Sequence, residues 1–309
     1  MTESSGRPSL HVVFTMDCLP PRGHQSPDGP TDWILSGRSI DGFCGIARAA
    51  GFPTTLFLTP QAAAEHTPML EDLSGLGAEL GLLVHPPSLP MGKHGHLLGR
   101  YAAASQHQLV ETAASALEEV LGAQPRSVRS SMFSASDHTY PILFTLGFRQ
   151  GSLSSPGRKV GKHAAEWVGA ETDAHYVSPE SRLLRGSIPF LELPVTTDAG
   201  QRSGGIAPDL GVENGTVDAF HRPLIEGQLE RFEKECVRFR ALCFHTSNRR
   251  AYYGRGERMV LALEAVLEYV EGLESRYTLV PVTLAGAHAE FRRHSPPEVS
   301  RCTIRQSRT

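Results

Sequence analysis

Leu10-His11-Val12-Val13-Phe14-Thr15-Met16-Asp17 is the stretch on which the fold turns. Val12, Val13 and Phe14 are β-branched or aromatic, the side chains that suit a buried strand, and the run stops on a carboxylate. A Pro/Gly-rich loop over 20–30 follows, then a helical pattern over about 40–50. Gly51 leads into a second apolar run, Thr54-Thr55-Leu56-Phe57-Leu58. Strand, loop, helix and strand in that order describe a parallel pair joined by a crossover helix.

The alternation continues outward from this unit. Gly77 introduces a strand over 79–84 that stops at His85-Pro86-Pro87. The two prolines forbid helix or central strand there and leave His85 on a loop at a strand end. A helix is predicted over about 106–121, with Ser105 and Gln108 as its capping box and Gly122 as its stop. Its apolar face carries Leu109, Ala113, Leu117, Val120 and Leu121. Residues 126–129 read as a strand and 137–146 as a helix. The stretch from 150 to about 186 lacks periodicity and is predicted to be an insertion over one face, the kind of segment that carries substrate contacts. A strand over 190–195, a helix over 218–239 and the strand Ala241-Leu242-Cys243-Phe244 follow, the last ending on His245. A helix over about 257–270 and a strand over 278–282 complete the series. Seven or eight β–α units without an internal repeat predict an α/β fold, a distorted or nearly closed barrel of about seven parallel strands. One domain over 1–291 is expected, with a flexible tail over 292–309 that gathers Arg292, Arg293, Arg301, Arg305 and Arg308.

Composition narrows the class of function. The chain of 309 residues is 40% hydrophobic and 20% charged, as in a globular protein with a large core. A net charge of −3 gives no bulk attraction for nucleic acid. Residues 1–9 are polar and lack a signal-like apolar run, and no stretch has the length of a membrane span. Five cysteines, Cys18, Cys44, Cys236, Cys243 and Cys302, are odd in number and contain no C-x-x-C pair. We therefore expect a cytoplasmic protein without a disulfide framework, with no nucleic-acid or membrane partner. A small molecule or saccharide remains as the expected substrate.

Asp17, His85 and His245 each follow an apolar strand directly. Carboxyl ends of parallel strands gather on one face of β/α folds, where an acid and two imidazoles can serve as base, acid or metal ligands. His94 and His96 lie in a nearby Gly-rich loop and either extend such a metal set or are simply solvated. Dinucleotide binding is not indicated, because Gly75-Leu76-Gly77 and Gly254-Arg255-Gly256 lack the third glycine. A nucleophile elbow, a Walker loop and H-E-x-x-H are all missing from the sequence. Trp33 and Trp167 are candidates for stacking on a sugar ring or for the core; His175, Tyr176 and Glu192 are candidates for the pocket or for structure.

In segment order the chain resembles the polysaccharide deacetylase (NodB-homology) superfamily, over roughly residues 12–282. His11-Val12-Val13-Phe14-Thr15-Met16-Asp17-Cys18 resembles the opening T-F-D-D motif, and 51–58 the G-x-x-A-T-F-F strand. Gly77-Ala78-Glu79-Leu80-Gly81 is similar to the G-H-E-I-G that introduces the family's histidine motif. Ser127-Val128-Arg129-Ser130-Ser131-Met132-Phe133 resembles its R-x-P segment, and Leu242-Cys243-Phe244-His245-Thr246 its late histidine strand. The resemblance implies a distorted (β/α) barrel with a divalent metal, commonly zinc, that binds the water attacking an N-acetyl group. It implies Asp17 as general base, His245 as general acid and Arg129 as the residue orienting the base. The family's metal ligands, however, fall on Cys18 or Leu19, on Leu83 and on Pro87. A metal would need a rebuilt site, with Asp17 and His85 as its ligands and one loop histidine added. The reading is a hydrolase of a non-peptide C–N bond, deacetylase-like, acting on a soluble amide or amino sugar. Two alternatives stand beside it: a metal-independent cyclic-amide hydrolase resembling allantoinase, and a catalytically silent barrel binding a carbohydrate-like ligand or a partner.

Overall fold

A computed structural model describes residues 6–23, 28–92 and 96–294. Its strands, in chain order, are β1 (Ser9–Cys18), β2 (Thr54–Leu58), β3 (Glu79–Val84), β4 (Ser127–Ser130) and β5 (Gln150–Gly151). The short hairpin β6 (Lys159–Val160) and β7 (Ala165–Glu166) follows, then β8 (His175–Val177), β9 (Ile188–Glu192), β10 (Ala241–Ser247) and β11 (Thr278–Pro281). The helices are α1 (Trp33–Ala49), α2 (Pro60–Gly75), α3 (Ala103–Leu121), α4 (Thr139–Thr145), α5 (Arg222–Lys234), α6 (Arg258–Gly272) and α7 (Leu284–His294).

The main sheet runs β10-β1-β2-β3-β4-β5-β9-β8, with β11 also on β1. All its pairings are parallel except β8 with β9. This is the distorted barrel expected from the sequence. Strand β1 is its spine and is forked. One edge pairs with β10 from His11 to Asp17. The other is shared, Ser9–Val12 with β11 and Phe14–Cys18 with β2. Because side chains alternate along a strand, His11, Val13, Thr15 and Asp17 share the barrel face, while Phe14, Met16 and Cys18 look toward the helices. Phe14 accordingly packs edge-on against Phe52, ring centroids 5.4 Å apart.

Between β9 and β10 the wall is irregular. Thr196 N–H donates to Cys243 O at 3.2 Å, His245 N–H to Leu210 O at 3.1 Å, and Val212 N–H to His245 O at 3.0 Å. The stretch 193–212 thus closes the barrel without forming a regular strand, and this is the distortion. The aperiodic segment 150–186 contributes wall as well, through β5 and β8, with only the β6–β7 hairpin forming a separate sheet.

Two local expectations need correction. Helix α3 starts at Ala103 with Ala102 at the N-cap, so Ser105 lies inside its first turn. Buried Gln106 explains the earlier start: its side-chain amide donates to Tyr101 O and Ser136 Oγ, tying the turn to the loop before it. Gly122 ends the helix as expected, with φ +70°. The second correction is α7, absent from the sequence reading. Leu284, Ala287, His288 and Phe291 give it a buried face at helical spacing. Its first turn is held by Thr55 and Glu79, which accept from Leu284 N–H at 2.9 Å and Ala285 N–H at 2.8 Å. His288 meets Gln150 at 2.9 Å. Helix α7 therefore covers the N-terminal mouth of the barrel and includes Arg292 and Arg293, while 295–309 lie outside the described residues. Among the described residues no helix is long and apolar enough to cross a membrane.

Candidate active site

Two ion pairs face each other at the carboxyl end of the barrel. In the first, Arg129 on β4 donates from Nη1 to Asp17 Oδ1 at 3.0 Å. The guanidinium is wholly buried and three more of its donors are used: Nη1 to Thr15 Oγ1, Nε to Ser152 O and Nη2 to Ser152 Oγ, each at 2.8 Å. The Phe57 ring lies 4.4 Å from its centre. A planar fork fixed on four sides can hold one carboxylate oxygen in one place. Asp17 keeps 18% of its side chain exposed, so the carboxylate still reaches solvent.

In the second pair, His245 Nε2 lies 3.1 Å from Asp209 Oδ1. Asp209 is buried and is itself oriented by Asn214 Nδ2 at 2.6 Å and Gly211 N–H at 3.1 Å. Burial works against an imidazolium at His245, but the Asp209 carboxylate outweighs it and raises the pKa above the ordinary histidine value. Burial works against the Asp209 carboxylate too, yet His245 holds its pKa below the usual range. Each partner thus favours the charged form of the other, an imidazolium beside a carboxylate. Residue 245 pairs in register with Thr15, and Asp17 lies two residues further along the same face. Strand spacing and rise put the Asp17 and His245 Cα atoms about 8 Å apart.

Over this gap sits Phe133. Its ring is 5.5 Å from His245 and 5.7 and 5.3 Å from the guanidinium carbons of Arg129 and Arg158. Met132 and Phe133 are consecutive non-glycine residues in the left-handed region, at φ +56° and +59°. Such a turn costs on the order of 1–3 kcal/mol per residue and persists only where its surroundings enforce it. Here Trp167 Nε1 donates to Phe133 O at 2.8 Å.

The residues do not fit the metal that the resemblance implies. Cys18 is fully buried on the helix side of β1, and Leu19, Leu83 and Pro87 are buried and carry no ligand atom. Leu83 pairs with Arg129 and, with Phe57, makes an apolar floor beside the guanidinium. His85 is buried, its Nδ1 2.9 Å from Ser131 Oγ and its Nε2 without a hydrogen-bond partner. Burial drives its pKa down to about 4. One free imidazole nitrogen is not a ligand set, and among the described residues Asp17 and His85 belong to no cluster of three ligand groups. His94 lies outside the described residues, and His96 packs edge-on against Tyr101 at 6.0 Å.

The remaining candidates are structural. Trp167 is wholly buried and Trp33 packs against His66, 5.6 Å away. His175 is buried with Nδ1 on Asp173 O at 2.8 Å; Tyr176 packs against Phe291. Glu192 is buried behind the barrel wall, where Oε1 accepts from Leu153 and Ser154 N–H at 2.9 and 2.7 Å. Burial raises its pKa from 4.5 to about 8, so the neutral acid is the form the fold accepts. A raised folded-state pKa stabilises fully below 4.5, and that contribution is lost as pH rises through 8. Glu192→Gln, which keeps the acceptor and cannot ionise, is expected to flatten this slope. Thermal melts across the interval should show the variant's advantage growing with pH; parallel curves would refute a buried neutral acid.

No protein-family model matches the chain, and no curated protein sequence does. Solved structures do match its fold. One named as a polysaccharide deacetylase from Mycobacterium smegmatis superposes with TM-score 0.57 and 17% identity, over 95% of this chain and 93% of that one. One named as a polysaccharide deacetylase from Pseudomonas aeruginosa PAO1 gives 0.60 and 13%, over 93% and 92%. The chain shares the fold of these two structures. A PuuE allantoinase shares it, with TM-score 0.63 and 13% identity over 93% and 91% of the two chains.

Proposed function

We propose that this chain is a hydrolase of a non-peptide C–N bond in a soluble amide or N-acyl amino sugar, with Asp17 as base and His245 as acid. The observation that carries the reading is the facing pair of ion pairs, Arg129–Asp17 and Asp209–His245, each with one member open to solvent. Asp17 takes a proton from water as the water oxygen bonds to the carbonyl carbon. His245 then gives its proton to the amide nitrogen as the C–N bond breaks, releasing amine and acid. Return of the proton from Asp17 to His245 restores the site. The apolar floor of Phe57 and Leu83 favours a second reading, ring opening of a cyclic amide by the same two groups.

A panel of N-acetyl amino sugars, linear amides and cyclic amides tests the proposal. Turnover of an open-chain amide supports the first reading and turnover of a ring the second. Silence across the panel would leave a binding barrel. With an active substrate, His245→Ala should lose on the order of 10²–10⁴-fold on alkyl amides and much less on anilides, whose leaving group needs little protonation. Asp209→Asn removes the anion that lifts the His245 pKa and leaves burial to lower it. The alkaline limb of kcat/KM should then move to lower pH. An unmoved limb would take the acid role from His245.

A further inference from the structure

We propose that His11, Glu290 and His294 form a site for a divalent cation of the zinc class that clasps the end of α7 across the N-terminal mouth of the barrel. One ligand atom from each residue lies within 4.8 Å of the other two. An ion with ligand bonds of about 2.0–2.2 Å can sit among them after a small side-chain adjustment. His11 is 2% exposed, and its Nδ1 lies 3.0 Å from Arg240 O. A carbonyl can only accept, so Nδ1 carries the proton and Nε2 presents a bare lone pair. That Nε2 is buried and has no hydrogen-bond partner.

His294 repeats the arrangement, with Nδ1 2.8 Å from Glu290 O. Both imidazoles thus leave Nε2 as the atom that can meet a metal, each anchored through Nδ1–H to a backbone carbonyl. Phe239 stacks on His11 at 4.1 Å and meets the edge of His294 at 6.2 Å, restraining both rings. Two imidazoles and one carboxylate suit zinc, with a fourth position open to water beside exposed His294. His11 and Asp17 face the same way on one strand, six residues and about 20 Å apart. The ion is a structural clasp, out of reach of the amide, and the inference is independent of the hydrolase reading.

Zinc chloride titrated into chelator-stripped full-length protein, followed by calorimetry, metal analysis after dialysis and thermal melting, tests it. One zinc per chain and a higher Tm are expected. His294→Ala and Glu290→Gln, both at the outer end of α7, should each weaken binding by at least about 100-fold and abolish the thermal shift. Any turnover should be equal with and without zinc. Wild-type protein that takes up no zinc, or zinc that survives both substitutions, overturns the site. Loss of zinc in the variants of a chain that turns over no substrate would sink the hydrolase reading and leave this one standing.

Discussion

Asp17→Asn is expected to reduce kcat/KM by on the order of 10²–10⁴-fold while leaving the circular dichroism spectrum and Tm essentially unchanged. The amide oxygen of asparagine can still accept the 3.0 Å bond from Arg129, so the buried guanidinium keeps its partner. What disappears is the basic lone pair that takes a proton from water. The substitution therefore separates chemistry from architecture, which truncation to alanine would not. Turnover within tenfold of wild type would place the base elsewhere.

Arg129→Met should instead act mainly on stability, lowering it by about 3 kcal/mol, with activity falling as well. Methionine fills similar volume over Phe57, so the loss is not one of packing. It strands the Ser152 carbonyl and hydroxyl, both hydrogen-bonded to Arg129, and leaves Asp17 unpaired. Arg129→Lys should recover part of the loss only, because an ammonium cannot reproduce the fork that bridges β1 and the segment after β5. Urea midpoints at unchanged slope are the measure. A midpoint for the methionine variant within error of wild type would show that the guanidinium does not brace the wall.

Asp17 and His245 were legible in the sequence because each follows an apolar run, and strand ends in a parallel barrel converge; Arg129 was legible only through the resemblance of Ser127–Phe133 to an R-x-P segment. Asp209 was not. It lies in the irregular closure between β9 and β10, where no periodicity marks it, and only the bonds among Leu210, Val212 and His245 bring it to the site. His85 was read as a ligand from its place after β3, but the burial that makes it prominent also isolates it. The misplaced start of α3 reflects a side chain, Gln106, whose partners are distant in sequence. Helix α7 was within reach of the pattern, since Leu284, Ala287, His288 and Phe291 recur at helical spacing. Glycine and alanine between them dilute that signal, and the arginines that follow read as an end of the fold.

The forked pairing of β1 also dictates an order of events during folding. Strand β1 finds β2 within about forty residues, but its other edge waits for β10, some 230 positions later, and its lower half for β11. Closure of such distant contacts is slow, because the entropy of the intervening chain is lost before pairing compensates it. Until β10 and β11 arrive, the upstream β–α units present an open sheet edge and an unfilled barrel interior. A ribosome-bound chain therefore carries an unfinished barrel until β10 and β11 emerge, and its exposure to aggregation lasts until then.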